Sequence, residues 1–184
     1  MIGRQLEEMW QVMGKGKFTV VEFCAGTGAL CKSTLGYVEY NKEFYNQLDY
    51  CIIEKSKENL TLREKASWEN NINNLQKIDG CILSNELLDN FPVHQVIMQN
   101  ELMEVFVGYE NGFFELLKPA PEALKEHLQK LNIALPESFR TEINLNAVEW
   151  VNQIASNLNK GFVLTIDYGF LSPELYACSR SRYK

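Results

Sequence analysis

An open, mostly parallel α/β sheet with helices on both faces is the fold class this chain predicts, and three observations carry it. A β-branched and aromatic run, Phe18 to Phe23, leads straight into the small-residue turn Cys24-Ala25-Gly26-Thr27-Gly28, and a helical pattern opens near Thr27. Strand-like runs then alternate with helical stretches, the order expected of βαβ units. The next run, Tyr50 to Ile53, ends on Glu54, at the distance expected of an acid that grips ribose hydroxyls. Glycines at a strand-to-helix turn let a ligand approach the backbone, and the helix that follows aims free N–H groups at it. Loop and acid together read as a site for a nucleoside-type cofactor.

Taken in order, Ile2 to Met13 carries an apolar stripe of Ile2, Leu6, Met9, Trp10 and Met13 at helical spacing, with no visible N-cap, so the helix is expected to start upstream of Met1. Gly14-Lys15-Gly16-Lys17 breaks it before the first strand. A second helix is expected from about Thr27 into the Leu35–Tyr45 region, and a third from Lys57 to Lys65. Ser67 to Ile72 reads as a short strand and Asp79 to Asn85 as a buried one, followed by a turn that Pro92 closes. From Val93 to Lys118 the period changes to that of an antiparallel insertion, with Asn111-Gly112 as a hairpin turn. Pro121 to Leu131 is an amphipathic helix, Ala134 to Arg140 a loop, and Asn144 to Leu158 a long helix. Gly161 to Gly169 is the last strand, and no internal repeat is visible.

Composition bounds the class. The chain has 184 residues, 46% hydrophobic and 23% charged, which is globular and long enough for one domain with a full core. No apolar run approaches the ~20 residues that a membrane span needs. The opening Met1 to Trp10 carries acids and no apolar centre, unlike a signal peptide. A net charge of −6 disfavours a broad nucleic-acid face. The five cysteines, Cys24, Cys31, Cys51, Cys81 and Cys178, form no C-x-x-C pair, so reduced thiols and a reducing compartment are expected. His94 and His127 share no ligand spacing with them, so no metal is expected.

In a parallel sheet ligands sit beyond the carboxyl ends of the strands. That rule gathers Cys24 to Gly28, Glu54, Ser84 to Asp89 and Asp167 to Gly169 into one crevice. Arg140 and Glu142 are expected to pair across their loop or to shape the substrate side, and Asp167 and Tyr168 to lie near the site.

The blocks Glu22-Phe23-Cys24-Ala25-Gly26-Thr27-Gly28, Ser84-Asn85-Glu86-Leu87-Leu88-Asp89-Asn90-Phe91-Pro92-Val93, Phe139-Arg140-Thr141-Glu142-Ile143 and Thr165-Ile166-Asp167-Tyr168-Gly169 together resemble the MidA-type methyltransferases that depend on S-adenosylmethionine (SAM). That family includes the mitochondrial arginine methyltransferase that assists complex I assembly. The Ser84 to Pro92 block is the specific part of the resemblance. It implies the Rossmann-like class I methyltransferase fold, SAM as cofactor, and an arginine of a protein as acceptor. It also implies the bacterial cytoplasm, or the mitochondrial matrix in a eukaryote. Glu22 would lie near the methionine end of SAM, with Cys24, Ala25, Gly26, Thr27 and Gly28 forming the turn and Glu54 binding the ribose diol. Asn85, Glu86 and Asp89 would border the transferring methyl. Spaced three apart, Glu86 and Asp89 would face the crevice from one helical turn and hold a guanidinium fork.

The sequence departs from the family in two places. Cys24 stands where the first glycine of the motif usually sits, and needs an ordinary backbone conformation or stores ~1–3 kcal/mol of strain. Both ends look cut, so residues 1–184 read as one incomplete domain with the terminal strands of the sheet missing. Phe162 to Ile166 would then be an exposed apolar edge, open to a second copy in a homodimer. Two other readings stand beside the methyltransferase: a catalytically silent assembly protein that keeps the fold, and a nicotinamide-dependent oxidoreductase. Cys31 at the last position of the dinucleotide fingerprint counts against the oxidoreductase.

Overall fold

Five strands form the parallel sheet: β1 (Phe18–Phe23), β2 (Leu48–Ile53), β3 (Ala66–Glu69), β4 (Ile78–Asn85) and, far along the chain, β9 (Leu158–Ile166). Their order is β3-β2-β1-β4-β9, every neighbouring pair parallel. The central strands are buried on both faces, which is why β1 and β2 read as mostly apolar and β-branched runs, interrupted by Glu22 and Asp49, rather than as alternating ones. These strands belong to the first of two compact units, Met1–Asn90 with Trp150–Asp167; the second is Phe91–Glu149 with Tyr168–Lys184. The structure is a computed structural model and describes residues 1–55 and 65–177.

One face of the parallel sheet is covered by α1 (Ile2–Val12), α2 (Ala29–Val38) and α3 (Lys42–Gln47). Leu6, Met9 and Trp10 of α1, Cys31, Leu35 and Val38 of α2, and Phe44 of α3 close over Phe18, Val20, Tyr50, Ile52, Cys81 and Leu83. Trp10 stacks on Phe44 with ring centroids 4.9 Å apart. The single helix expected from Thr27 onward is instead two, because the Asn41 side chain accepts from the Phe44 N–H and so caps a new start. On the other face Trp150 of α5 (Leu145–Asn157) meets Phe23 edge to face at 5.5 Å. The helix expected over Lys57 to Lys65 lies, but for Lys65, outside the described residues.

Among the described residues β9 lies at one edge of the sheet. Val163 and Ile166 are exposed while Phe162 and Leu164 are half-buried against the core. The strand starts at Leu158, earlier than its apolar run suggests, because Ile78 to Asn85 of β4 offer partners along its whole length.

In the second unit β5 (His94–Gln99), β6 (Glu101–Tyr109), β7 (Phe113–Pro119) and β8 (Arg140–Ile143) form an antiparallel sheet in the order β7-β6-β5-β8. Asn111, with φ 55°, sits in the turn that joins Tyr109 to its partner Phe113. The insertion gains a fourth strand where a loop was expected to run to Arg140: residues 140–143 pair with His94 to Ile97. Leu124 and Leu128 of α4 (Glu122–Lys130) pack with Val96, Leu102, Phe139 and Ile143 to give this unit its own core. A short helix, α6 (Ser172–Leu175), follows β9. Among the described residues no helix is long and apolar enough to cross a membrane.

Candidate cofactor site

Parallel register decides which chain segments meet. Phe23 is level with Ile53 on one side and Ser84 on the other, and Ser84 is level with Thr165. The ladder continues one residue past each strand. The Cys24 N–H donates to Ile53 O at 3.0 Å, the Glu54 N–H to Glu69 O at 3.1 Å, and the Glu86 N–H to Ile166 O at 2.8 Å. Residues 24–28, 54, 85–89 and 167 therefore leave the sheet at the same end, all within the first unit.

The turn after β1 is built from left-handed residues. Cys24, Gly26 and Gly28 have φ of 52°, 56° and 78°, and the Gly28 N–H closes the turn on Ala25 O at 2.8 Å. A Cβ added at Gly26 would meet nothing within 4 Å, so glycine is needed there for its backbone angle, not for space. Gly28 is the N-cap of α2 and no side chain caps the helix, which leaves its first N–H groups for a ligand. Cys24 holds its left-handed angle with a Cβ, the strained alternative of the two the sequence allows. Burial pushes its thiol pKa up, as does the nearby Glu54 carboxylate, while Lys55 pulls it down.

Glu54 is half-buried, and its backbone is fixed twice, through the ladder bond to β3 and through the Trp68 indole, which donates to Glu54 O at 3.1 Å. Its Oε1 accepts from the Lys55 N–H at 2.9 Å. Glu22 is 2% exposed, on the α2 side of the sheet. The Tyr50 hydroxyl donates to Glu22 Oε2 at 2.6 Å. Burial raises the Glu22 carboxyl above its ordinary range and the Tyr50 hydrogen bond pulls against that, while Tyr50 itself is held well above the usual tyrosine range by burial beside Glu22. Tyr50 was not singled out from the sequence, although its parity in β2 marks it: its partner Val20 shares a face with Glu22.

Asn85, Glu86 and Asp89 are all exposed at the end of β4. The shared helical turn expected for Glu86 and Asp89 does not form. Glu86 has φ 47°, outside the helical region, and only Leu88–Asn90 make a 3₁₀ turn. Asn90 joins the two residues instead, its Nδ2 donating to Glu86 O at 2.6 Å and to Asp89 Oδ1 at 3.1 Å. Leu87, 2% exposed, roots the segment in the core. Asp167 takes a part the sequence did not show: its Oδ2 accepts from the Leu88 N–H at 2.9 Å.

Arg140 and Glu142 do not pair with each other. Both Arg140 η-nitrogens donate to the Glu115 carboxylate, at 2.7 and 2.6 Å, because β8 and β7 present them on one face of the second sheet. His94 Nδ1 lies 2.6 Å from Glu104 Oε1. Among the described residues no three His, Cys, Asp or Glu side chains gather as a metal site.

A family model described as "Putative S-adenosyl-L-methionine-dependent methyltransferase" matches residues 1–183. Among solved structures, a Burkholderia thailandensis protein crystallised with S-adenosyl-homocysteine (SAH) is similar to this chain at a TM-score of 0.82 and 26% identity, over 98% of this chain and 49% of that one. The native structure of an uncharacterised protein from the same organism is similar at a TM-score of 0.81 and 25% identity, over 98% and 50%. The chain spans about half the length of these two proteins.

Proposed function

The chain belongs to this family of S-adenosyl-L-methionine-dependent methyltransferases, and from that premise we propose that it binds SAM beyond β1 and presents it to an arginine side chain of a protein acceptor. The observation that carries the cofactor half is the glycine turn with positive φ, opening an uncapped helix level with Glu54. Gly26, Gly28 and the first N–H groups of α2 hold the ligand's polar edge, with Cys24, Ala25 and Thr27 completing the turn. The Glu54 carboxylate accepts from the ribose diol. SAM supplies a methyl group already activated on a sulfonium.

The chain then has to place a nucleophile in line with that methyl. Exposed carboxylates suit a guanidinium, because its planar fork donates paired hydrogen bonds. Glu86 and Asp89 supply them, tied together through Asn90, and Asn85 adds an amide beside them. An acceptor involved in respiratory complex I assembly is the reading that the sequence resemblance supports.

Calorimetric titration of SAH into the wild type and Glu54→Ala tests the cofactor assignment. A hydrogen bond to a charged group contributes ~1.5–3 kcal/mol, so the variant should bind ~10- to 150-fold more weakly. Equal affinity removes Glu54 from the site. The acceptor assignment fails if Glu86→Gln methylates an arginine peptide as the wild type does. A second reading, a silent assembly protein, is favoured by the left-handed Cys24; a folded chain that binds neither SAM nor SAH, with or without Cys24→Gly, would establish it.

A further inference from the structure

The carboxyl of Glu22 sits under the glycine turn in a setting that needs explaining. In register it is flanked by Ile52 of β2 and Leu83 of β4, both fully buried. Cys31 of α2, Cys81 of β4 and Tyr50 of β2 are the titratable groups of the elements packed there, and no basic side chain pairs with Glu22 among the described residues. Oε2 is engaged by the Tyr50 hydroxyl, and Oε1 has no partner among the described residues. An acid buried without a cation keeps its proton, because desolvation penalises the charged form. It becomes the better partner once a cation arrives, since a buried charge is tolerated only when paired.

We propose that Tyr50 is a positioning residue of the cofactor site: its hydroxyl holds the Glu22 carboxyl so that Oε1 receives the α-ammonium of an amino-acid-bearing nucleoside, and Glu22 releases its proton to solvent as that ligand binds. The inference rests on the cofactor reading above. Tyr50 does two things through one bond. It fixes the carboxyl plane, since a carboxylate held at Oε2 has one remaining oxygen to offer. It also supports the ionised form, because a phenol O–H donates more strongly to a carboxylate than to a carboxylic acid. Geometry makes Tyr50 suited to this: it lies level with Val20, two residues before Glu22, and so reaches along the sheet toward the strand end where the turn begins.

The consequence is a proton linkage. Affinity for an ammonium-bearing ligand rises with pH until the free protein's Glu22 is already ionised, then levels off. Without the Tyr50 hydroxyl, ionisation of Glu22 is harder, so the levelling moves to higher pH.

The test is calorimetric titration of SAH into the wild type, Tyr50→Phe and Glu22→Gln from about pH 5 to 8, in buffers of different ionisation enthalpy. The Tyr50→Phe substitution keeps the ring that packs in the core, so loss of the hydroxyl is isolated. The wild type is expected to release a proton on binding wherever the free protein's Glu22 is still protonated, and none above that. Tyr50→Phe should carry that release to higher pH and weaken SAH by about tenfold where Glu22 is protonated in both free proteins, the equivalent of one pK unit. Glu22→Gln should release none. A Tyr50→Phe variant that binds SAH with an unchanged proton count and an unchanged pH profile overturns the role given to Tyr50 while leaving the cofactor site standing. A folded wild type that binds no SAH at any pH overturns the cofactor reading itself, and this inference with it.

Discussion

Replacing Cys24 by glycine should stabilise the protein, and the size of the gain follows from the backbone. Cys24 has φ 52° at the first position of the turn. A residue with a Cβ in the left-handed region carries ~1–2 kcal/mol of steric cost. Glycine removes that cost but returns ~0.5–1 kcal/mol through the greater freedom of its unfolded chain. The Cys24 residue is exposed, so little apolar burial is lost with the thiol. The net expectation is a stabilisation of ~0.5–1 kcal/mol, or ~1–4 °C in the melting midpoint of a chain of this size. Tryptophan fluorescence is a suitable probe, because all three tryptophans, Trp10, Trp68 and Trp150, fall in the first unit with the turn. A variant that melts at or below the wild type would refute the strain argument, for the thiol would then be contributing more than its backbone costs. SAH affinity in the same variant should be equal or tighter. A weaker value would make the Cys24 side chain part of the site.

Two further outcomes follow from the sheet and its buried acid. Gly161 of β9 lies level with Gly80 of β4 at φ 144°, and a Cβ there would overlap the Gly80 carbonyl, so Gly161→Ala should lower the urea-unfolding free energy by ~3 kcal/mol or more; a loss within experimental error would show that β9 can shift away. Burial raises the Glu22 carboxyl in the folded chain, so folding takes up a proton between the unfolded-state value and the raised folded-state value. The stability this gives is complete below the unfolded-state value and is lost as pH rises through the folded-state value. Glu22→Gln should remove that downward slope, and urea titrations across the range that show the same slope in both proteins would contradict the assignment.

The parts of this fold that sequence reading reaches are those whose cause is local. The turn after β1 was legible because glycines and small residues punctuate a strand and a helix within one short stretch, and Asn111-Gly112 was legible as a hairpin turn for the same reason. Glu54 was legible because the end of a parallel strand is also the end of an apolar run. Causes that act at a distance were not. Arg140 and Glu142 are two apart in β8 and so share a face, yet the Arg140 fork takes its bidentate partner from Glu115 of β7, the strand at the other edge of that sheet, a pairing that spacing along the chain does not show. Glu86 and Asp89 have the spacing of helical neighbours, but the Glu86 N–H is taken by Ile166 O, and that ladder bond holds the residue at a left-handed φ that no helix accepts. The side chains proposed for the acceptor are named by type alone, while their arrangement depends on a strand that enters the sheet from far along the chain.

That dependence has a functional meaning. The segment proposed to face the acceptor is tied to β9 and the residue after it: Thr165 Oγ1 accepts from Ser84 Oγ at 3.2 Å, Ile166 O from the Glu86 N–H, and Asp167 Oδ2 from the Leu88 N–H. The segments proposed for the cofactor are held elsewhere in the sheet, since the Cys24 N–H is tied to β2 and the Glu54 N–H to β3, the strand at the opposite edge. Among the described residues β9 pairs with β4, and its Val163 and Ile166 are exposed. Loosening β9 would break the ladder bond that fixes the Glu86 N–H, while the ladder bonds of Cys24 and Glu54 run to other strands. On the assignment proposed above, cofactor affinity and acceptor geometry draw on different strands, and β9 supports the second through its bonds to the Glu86 and Leu88 segment.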